Sequence, residues 1–251
     1  MIQNKKVVAI IPARGGSKSI PYKNIKLLNG IPLIAYSIAA GLQAKYVDRV
    51  IVSTDDDEIA KIAKQWGAEV PFQRPANLAE DKTVDFPVFE HAVKWLEEHE
   101  NYHADIIVQL RPTSPCRPPQ CVDESIEVLV NGTADSVRGV VPSGQNPYKM
   151  WRIENDVMQP LMDSEFAEPY NMPRQKLPPT YWQTGHVEVI HYQTIMQQRS
   201  LTGKVIAPYV LEPEYAIDLD NLFQWKYAEF AMREAGLNFV SPGGQTLLSV
   251  K

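Results

Sequence analysis

The residues with most chemical content form one run near the amino terminus, Ala13-Arg14-Gly15-Gly16-Ser17-Lys18, followed by Lys23 and Asn24. They come directly after the apolar run Val7-Val8-Ala9-Ile10-Ile11, which reads as a buried strand. Arg14, Lys18, Lys23 and Lys26 stand in this stretch with no acid between them, in a chain of formal net charge -5. Glycines after a strand let backbone N–H groups approach phosphate oxygens, and the cations offset the charge. A polyphosphate is the ligand such a turn suits. Neither G-x-x-x-x-G-K-[ST] nor G-x-G-x-x-G is present, so the turn is not a P-loop or a dinucleotide fingerprint. The anion must be held by the Gly15-Gly16 backbone and by the side chains of Arg14, Lys18 and Lys23.

A triphosphate usually brings a divalent cation. Asp218-Leu219-Asp220 offers a site for one. In an extended segment residues two apart point to the same side, so both carboxylates can converge on one ion. Hard oxygen donors suit Mg²⁺, which keeps several waters and bridges to phosphate. Asp55 is a further acidic candidate, although Asp55-Asp56-Asp57 also fits the start of a helix.

Other chemistries find little support. Cys116 and Cys121 make neither a metal cluster nor a C-x-x-C pair, and are expected to be reduced thiols. His91, His99, His103, His186 and His191 show no ligand spacing. There is no G-x-S-x-G, so a serine hydrolase is not supported. The acidic balance argues against a nucleic-acid surface. No signal pattern appears and the apolar runs are too short to span a bilayer, so a cytoplasmic protein without a membrane partner is expected.

The positioning elements follow from periodicity. Strands are expected at Val7–Ile11, Arg49–Ser53, Ile106–Leu110, Ser136–Val141, His186–His191 and Val205–Val210. Helices are expected at Leu33–Ala44, Asp57–Trp66, Val84–Glu98 and Val122–Val130, with a short one after His191 and a last one from Asn221 to Ala235. This alternation predicts an α/β fold, a mostly parallel sheet with helices on both faces. Ligands then lie beyond the carboxyl ends of the strands, where the glycine turn, Asp55 and the Arg111–Ser114 loop all fall. The chain reads as one domain, 1–251. The rhythm breaks between Pro142 and Tyr181, where prolines alternate with Tyr148, Met150, Trp151, Ile153, Phe166 and Tyr170. That apolar content predicts an inserted arm that packs on a second copy, giving a homodimer.

The run Ile11 to Lys18, with Lys23-Asn24, closely resembles the first motif of the acylneuraminate cytidylyltransferases, the CMP-sialic acid synthetases. The resemblance continues through Val52-Ser53-Thr54-Asp55, Arg74-Pro75, Leu78-Ala79-Glu80-Asp81, Pro112-Thr113-Ser114-Pro115, Arg174-Gln175 and Asp218-Leu219-Asp220. It implies a Rossmann-like nucleotidyltransferase fold in which CTP and a nonulosonic α-keto sugar acid give a CMP-sugar and pyrophosphate. It further implies that Arg14 and Lys18 hold the triphosphate and that Lys23 sits by the α-phosphate. Ala13, Gly15, Asn24, Ala79, Thr83, Arg111, Thr113 and Ser114 would complete the nucleotide site. Lys149, Arg174, Gln175, Thr184 and Gly185 would meet the sugar, and Asp218 and Asp220 would bind Mg²⁺. Arg14, Lys18, Lys23 and Asp220 are the expected catalytic set.

The chain departs from the family pattern at three places. Ser19 replaces a usual Gly, and Arg111 replaces the Gln that commonly precedes Pro-Thr-Ser. Thr184-Gly185-His186-Val187-Glu188 replaces Asn-Gly-Ala-Ile-Tyr in a segment that faces the sugar in relatives. These changes leave open which sugar acid is the acceptor. A sugar phosphate or phosphonate acceptor, and a non-catalytic nucleotide-binding module, are the alternatives.

Overall fold

The structure is a computed structural model that describes residues 2–243. Met1 and residues 244–251 of the expected single domain lie outside the described residues. The central sheet has six strands. In chain order these are β1 (Val7–Pro12), β4 (Arg49–Ser53), β5 (Ile106–Gln109), β6 (Ser136–Pro142), β9 (Tyr181–His191) and β10 (Ile206–Val210). Two short hairpins account for the remaining strands: β2 (Leu27–Leu28) with β3 (Ile31–Pro32), and β7 (Trp151–Glu154) with β8 (Val157–Pro160). The order across the sheet is β10-β6-β9-β5-β1-β4. The β1–β4, β1–β5 and β6–β10 pairings are parallel. β9 runs antiparallel between β5 and β6.

Helices cover both faces, and strand alternation explains how. Val7, Ala9 and Ile11 of β1 join one core cluster with α1 (Leu33–Gln43), α2 (Asp57–Gln65) and α4 (Cys121–Asn131). Val8 and Ile10 point the other way, into a cluster with α3 (Asp85–Glu100) and α5 (Tyr192–Met196). A strand buried on both faces must be apolar at every position, as Val7–Ile11 is. A third cluster docks α6 (Leu222–Glu234) through Trp225, Ala228, Ala231 and Met232 against Ile20, Leu28, Leu33 and Tyr36. Among the described residues no helix is long and apolar enough to cross a membrane.

The differences from expectation are local. β9 starts at Tyr181, five residues before His186, because its first residues pair with the end of β6, Pro142 opposite Tyr181. The bulge between Arg138 and Val140 shifts that register. The segment between those strands carries the β7–β8 hairpin and several 3₁₀ turns, and all eight hairpin residues are exposed. Each hairpin strand is only four residues long, too short for its alternation to stand out in a proline-rich stretch.

Candidate active site

β1 ends at a turn whose shape is fixed from two sides. The Ala13 N–H donates to Ser53 O at 3.0 Å, extending β1 beside β4. The Gly15 N–H donates to Asp55 Oδ1 at 3.0 Å, so Asp55 anchors the turn. A Cβ on Gly15 would lie 2.8 Å from Asp56 Oδ2, and Asp56 caps α2 by accepting from the Ile59 N–H at 2.9 Å. Asn24 is buried and donates from Nδ2 to Arg14 O at 3.0 Å. Arg14 and Lys18 both pair with Asp81, Arg14 at 2.9 Å, and Arg14 also reaches Ala79 O at 3.3 Å. Those two cations hold Asp81 below its usual carboxylate range, Lys18 more than Arg14.

The acidic pair arrives from the far end of the chain. Leu219 is fully buried in the α6 cluster, and its N–H donates to Thr113 O at 2.9 Å. This turns Asp218 and Asp220 the other way. Asn221 and Gln224 form a capping box at the start of α6, and Gln224 Oε1 also accepts from the Asp220 N–H at 2.7 Å. Lys23 then ties the two ends together. Its Nζ donates to Leu219 O at 2.9 Å and lies 3.5 Å from Asp220 Oδ1. Asp218 Oδ1 is buried with no hydrogen-bond partner. Burial, more than the neighbouring Asp220, raises the Asp218 pKa. An orphaned carboxylate oxygen beside a second carboxylate fits a hard divalent cation that completes its shell with water and phosphate. No group of three or more His, Cys, Asp or Glu side chains that could hold a metal occurs among the described residues.

Beside the turn lies a cleft of about 280 Å³, lined by Arg14, Lys18, Lys23, Asn24, Thr83, Arg111 and Thr113 among others; neither Asp218 nor Asp220 is in its lining. Arg74 closes it from below. It is buried, donates to Ser53 Oγ at 3.0 Å and to Ser53 O, and has its pKa lowered to about 10 by burial, so it stays charged. The cysteines take no part. Burial pushes both thiols up to about 12, which leaves no thiolate for chemistry at neutral pH.

The chain matches the family model described as "Cytidylyltransferase" over residues 8–200. It therefore belongs to the cytidylyltransferase family. This makes it a nucleotidyltransferase. It is 30% identical over 225 residues to CMP-N,N'-diacetyllegionaminic acid synthase of Campylobacter jejuni, covering 89% of this chain and 94% of that one. The enzyme of the same name from Legionella pneumophila is 32% identical over 229 residues, covering 90% and 96%. N-acylneuraminate cytidylyltransferase of Oncorhynchus mykiss is 34% identical over 229 residues, and there the chain spans half of the relative's length. Among solved structures, a CMP:2-keto-3-deoxy-manno-octonic acid synthetase complexed with CTP superposes with a TM-score of 0.66 at 17% identity, covering 92% of this chain and 99% of that chain. That likeness shows the fold.

One cleft gathers most of the expected nucleotide residues, without Ala13 and Gly15 in its lining, and leaves the expected sugar residues outside it. Arg14, Lys18, Lys23, Asn24, Thr83, Arg111 and Thr113 line the cleft, and Ala79 touches Arg14. Ser114 is fully buried below it. Arg174 and Gln175 line a different cavity of about 510 Å³ at the base of the inserted arm, with Ser143, Asn146 and Tyr181. Arg174 donates there to Ser143 O at 2.8 Å. Lys149 donates to Tyr170 O at 3.1 Å and Met172 O at 2.6 Å, within the arm itself. Thr184 is buried and donates to Gly139 O at 3.3 Å. Gly185 packs on the loop after β5, where a Cβ would lie 2.7 Å from Ser114 Oγ. His186, one of the departures from the family pattern, is fully buried; burial, helped by Arg117, lowers its pKa to about 3 and keeps it neutral.

Sequence reasoning missed Asp85 and Arg117 as parts of this architecture, and it offered Glu188 only as a departure from the family pattern in the segment expected to face the sugar. Arg117 is fully buried and donates to His186 O, Ser37 Oγ, Arg111 O and Gly185 O. Its signal was faint: one arginine two residues after Pro115, in a loop with no periodicity. Only the converging carbonyls reveal its task, which is to tie the loop bearing Arg111 and Thr113 to β9.

Proposed function

We propose that this cytidylyltransferase transfers a cytidylyl group from CTP to a nonulosonic sugar acid. The observation that carries this reading is Lys23, whose ammonium spans from the glycine turn to Leu219 O and the Asp220 carboxylate. That contact supports a common centre for the cationic turn and the acidic pair. Arg14 and Lys18 offset the triphosphate, and Lys23 faces the developing charge at the α-phosphate. The acceptor hydroxyl oxygen forms a bond to the α-phosphorus, the bond to the bridging oxygen of the leaving pyrophosphate breaks, and the hydroxyl proton leaves to solvent or a base. Such a transfer needs positioning and charge stabilisation more than covalent chemistry from the protein. Asp218 and Asp220 would hold Mg²⁺. When bound, the ion supplies Lewis-acid stabilisation of phosphate charge. The relatives named for legionaminic and N-acylneuraminic acids support an acceptor of that class.

The test is direct. The protein is incubated with CTP, Mg²⁺ and a panel of nonulosonic acids, and the products are identified by mass. A CMP-sugar with one equivalent of pyrophosphate is the expected result. Pyrophosphate release only with sugar phosphates or phosphonates would overturn the acceptor class. CTP binding without any pyrophosphate release would overturn the catalytic role. A metal titration checks the acidic pair. In the presence of CTP, millimolar Mg²⁺ is expected to raise the melting temperature of the wild type, and this rise is expected to vanish in Asp218→Asn. An equal rise in that variant would remove Asp218 from the metal site.

The arm supports association with a second copy. Trp151, Ile153, Val157, Met158, Tyr181 and Trp182 are all exposed on or beside its hairpin. Apolar exposure of this kind favours a partner surface. Light scattering is expected to give twice the chain mass, and Ile153→Asp with Met158→Asp is expected to give a monomer. A monomeric wild type would dispose of the dimer.

A further inference from the structure

The cations of the cleft fall into two electrostatically different groups. Arg14 and Lys18 stand in the glycine turn and Lys23 in the 3₁₀ turn after it, and among the described residues their ion pairs are with the half-exposed Asp81 and the exposed Asp220, carboxylates that a bound ligand and its metal can draw away. Arg111 is different. Its Nη2 lies 2.5 Å from Asp85 Oδ2 and 3.2 Å from Glu188 Oε1. Gln109, with its amide turned to satisfy both of its ends, accepts from the same guanidinium at 2.9 and 3.2 Å. The Glu188 side chain is 2% exposed, and its second oxygen takes Arg138 Nη2 at 2.5 Å. Arg138 Nη1 in turn reaches Gln183 Oε1 at 2.7 Å.

Two arginines and two carboxylates sum to no net charge. A neutral cluster offers a triphosphate little attraction, so this wall is poorly suited to phosphate binding. It is also rigid, because Glu188 and Gln109 hold Arg111 from facing strands, β9 and β5, in register. A fixed guanidinium whose charge is balanced is suited to hydroxyl and amide groups, which it meets by direction rather than by charge. Sites that hydrogen-bond such groups discriminate between analogues far more strongly than apolar pockets do. The wall also leads away from the glycine turn, along β9 and β6 to Gln183.

We infer that Glu188 is a positioning residue that locks Arg111 as the acceptor-reading wall of the cleft, selecting sugar acids by their hydroxyl and amide substituents. This moves Arg111 from the nucleotide group to the acceptor side. The inference rests on the cytidylyl-transfer reading.

The experiment compares wild type with Glu188→Gln, which keeps the shape and removes the charge, and with Arg111→Gln. Steady-state kinetics are measured on two sugar acids that differ in one hydroxyl or acetamido group, and CTP affinity is measured separately by calorimetry. In both variants the ratio of kcat/KM between the two acids is expected to change tenfold or more. Acceptor KM is expected to rise about tenfold, while CTP affinity stays within threefold. An unchanged acceptor ratio in both variants overturns the inference. So does a fall in CTP affinity as large as the rise in acceptor KM, which would put Arg111 at the base. If Glu188→Gln fails to fold, Arg111→Gln carries the test. A wild type that transfers cytidylyl to no sugar acid defeats the function itself, and the inference with it. An active wild type with unaltered variants defeats the inference alone.

Discussion

Lys23→Ala is expected to lower turnover by roughly 10²- to 10³-fold, the size of one lost transition-state contact in a water-poor site. The side chain is 12% exposed and is held at both ends of its reach, by Leu219 O and by Asp220. The bond to Leu219 O keeps its charge in place when a ligand draws Asp220 away, so little reorganisation is needed as the transition state forms. Arg14 and Lys18 remain in the variant to offset the triphosphate, so CTP affinity is expected to change much less than turnover. This split identifies a contact made chiefly in the transition state. Pyrophosphate release at saturating CTP and acceptor gives the first quantity, and calorimetry the second. Lys61→Ala, which removes an exposed lysine on α2, serves as the control with no expected change. Turnover of Lys23→Ala within threefold of wild type would remove Lys23 from the chemistry.

Arg117→Leu is expected to be the most destabilising single change in the loop after β5. The guanidinium is fully buried, and although burial lowers its pKa to about 10, it remains charged at neutral pH. Its charge is spread over four acceptors: His186 O at 2.6 Å, Arg111 O at 2.5 Å, Ser37 Oγ at 3.0 Å and Gly185 O at 3.4 Å. Leucine fills part of the volume but leaves those acceptors facing apolar surface. Each buried acceptor left unmade costs ~1–3 kcal/mol, and loss of one partner in a buried charged network costs ~3–5 kcal/mol. For a domain of this size the melting temperature then falls by roughly 10 °C. Scanning calorimetry checks it. Arg117→Lys is expected to recover little, because one ammonium cannot serve four diverging acceptors. A melting temperature within 2 °C of wild type for Arg117→Leu would show that the loop does not depend on it, "2 °C" being about one kcal/mol of stability here.

Sequence alone determined a good deal of this protein. Val7–Ile11 must be a central strand, because every residue is apolar and two helical layers are needed to cover it. Arg14, Gly15 and Lys18 are placed together by their spacing after that strand, in a turn whose cations meet at Asp81. Asp218-Leu219-Asp220 declares its own geometry through alternation, with Leu219 buried and the aspartates turned away from it.

What only the tertiary structure decided is how distant segments combine. Nothing local says that Lys23 meets Leu219 O, 196 residues away, and Asp220 beside it. That meeting depends on α6 packing through Trp225 onto Ile20, Leu28 and Leu33. β9 reads as a short strand because its first residues are exposed and follow a proline-rich stretch, and only its pairing with β6 extends it to Tyr181. Glu188 stands out in the sequence only as a departure from the family pattern, and the sheet decides that Arg111 and Arg138 meet its two oxygens. Periodicity records which face of one segment is apolar. A charge network depends on which side chains three separate strands bring into register, and that is settled by sheet order, which no single segment encodes.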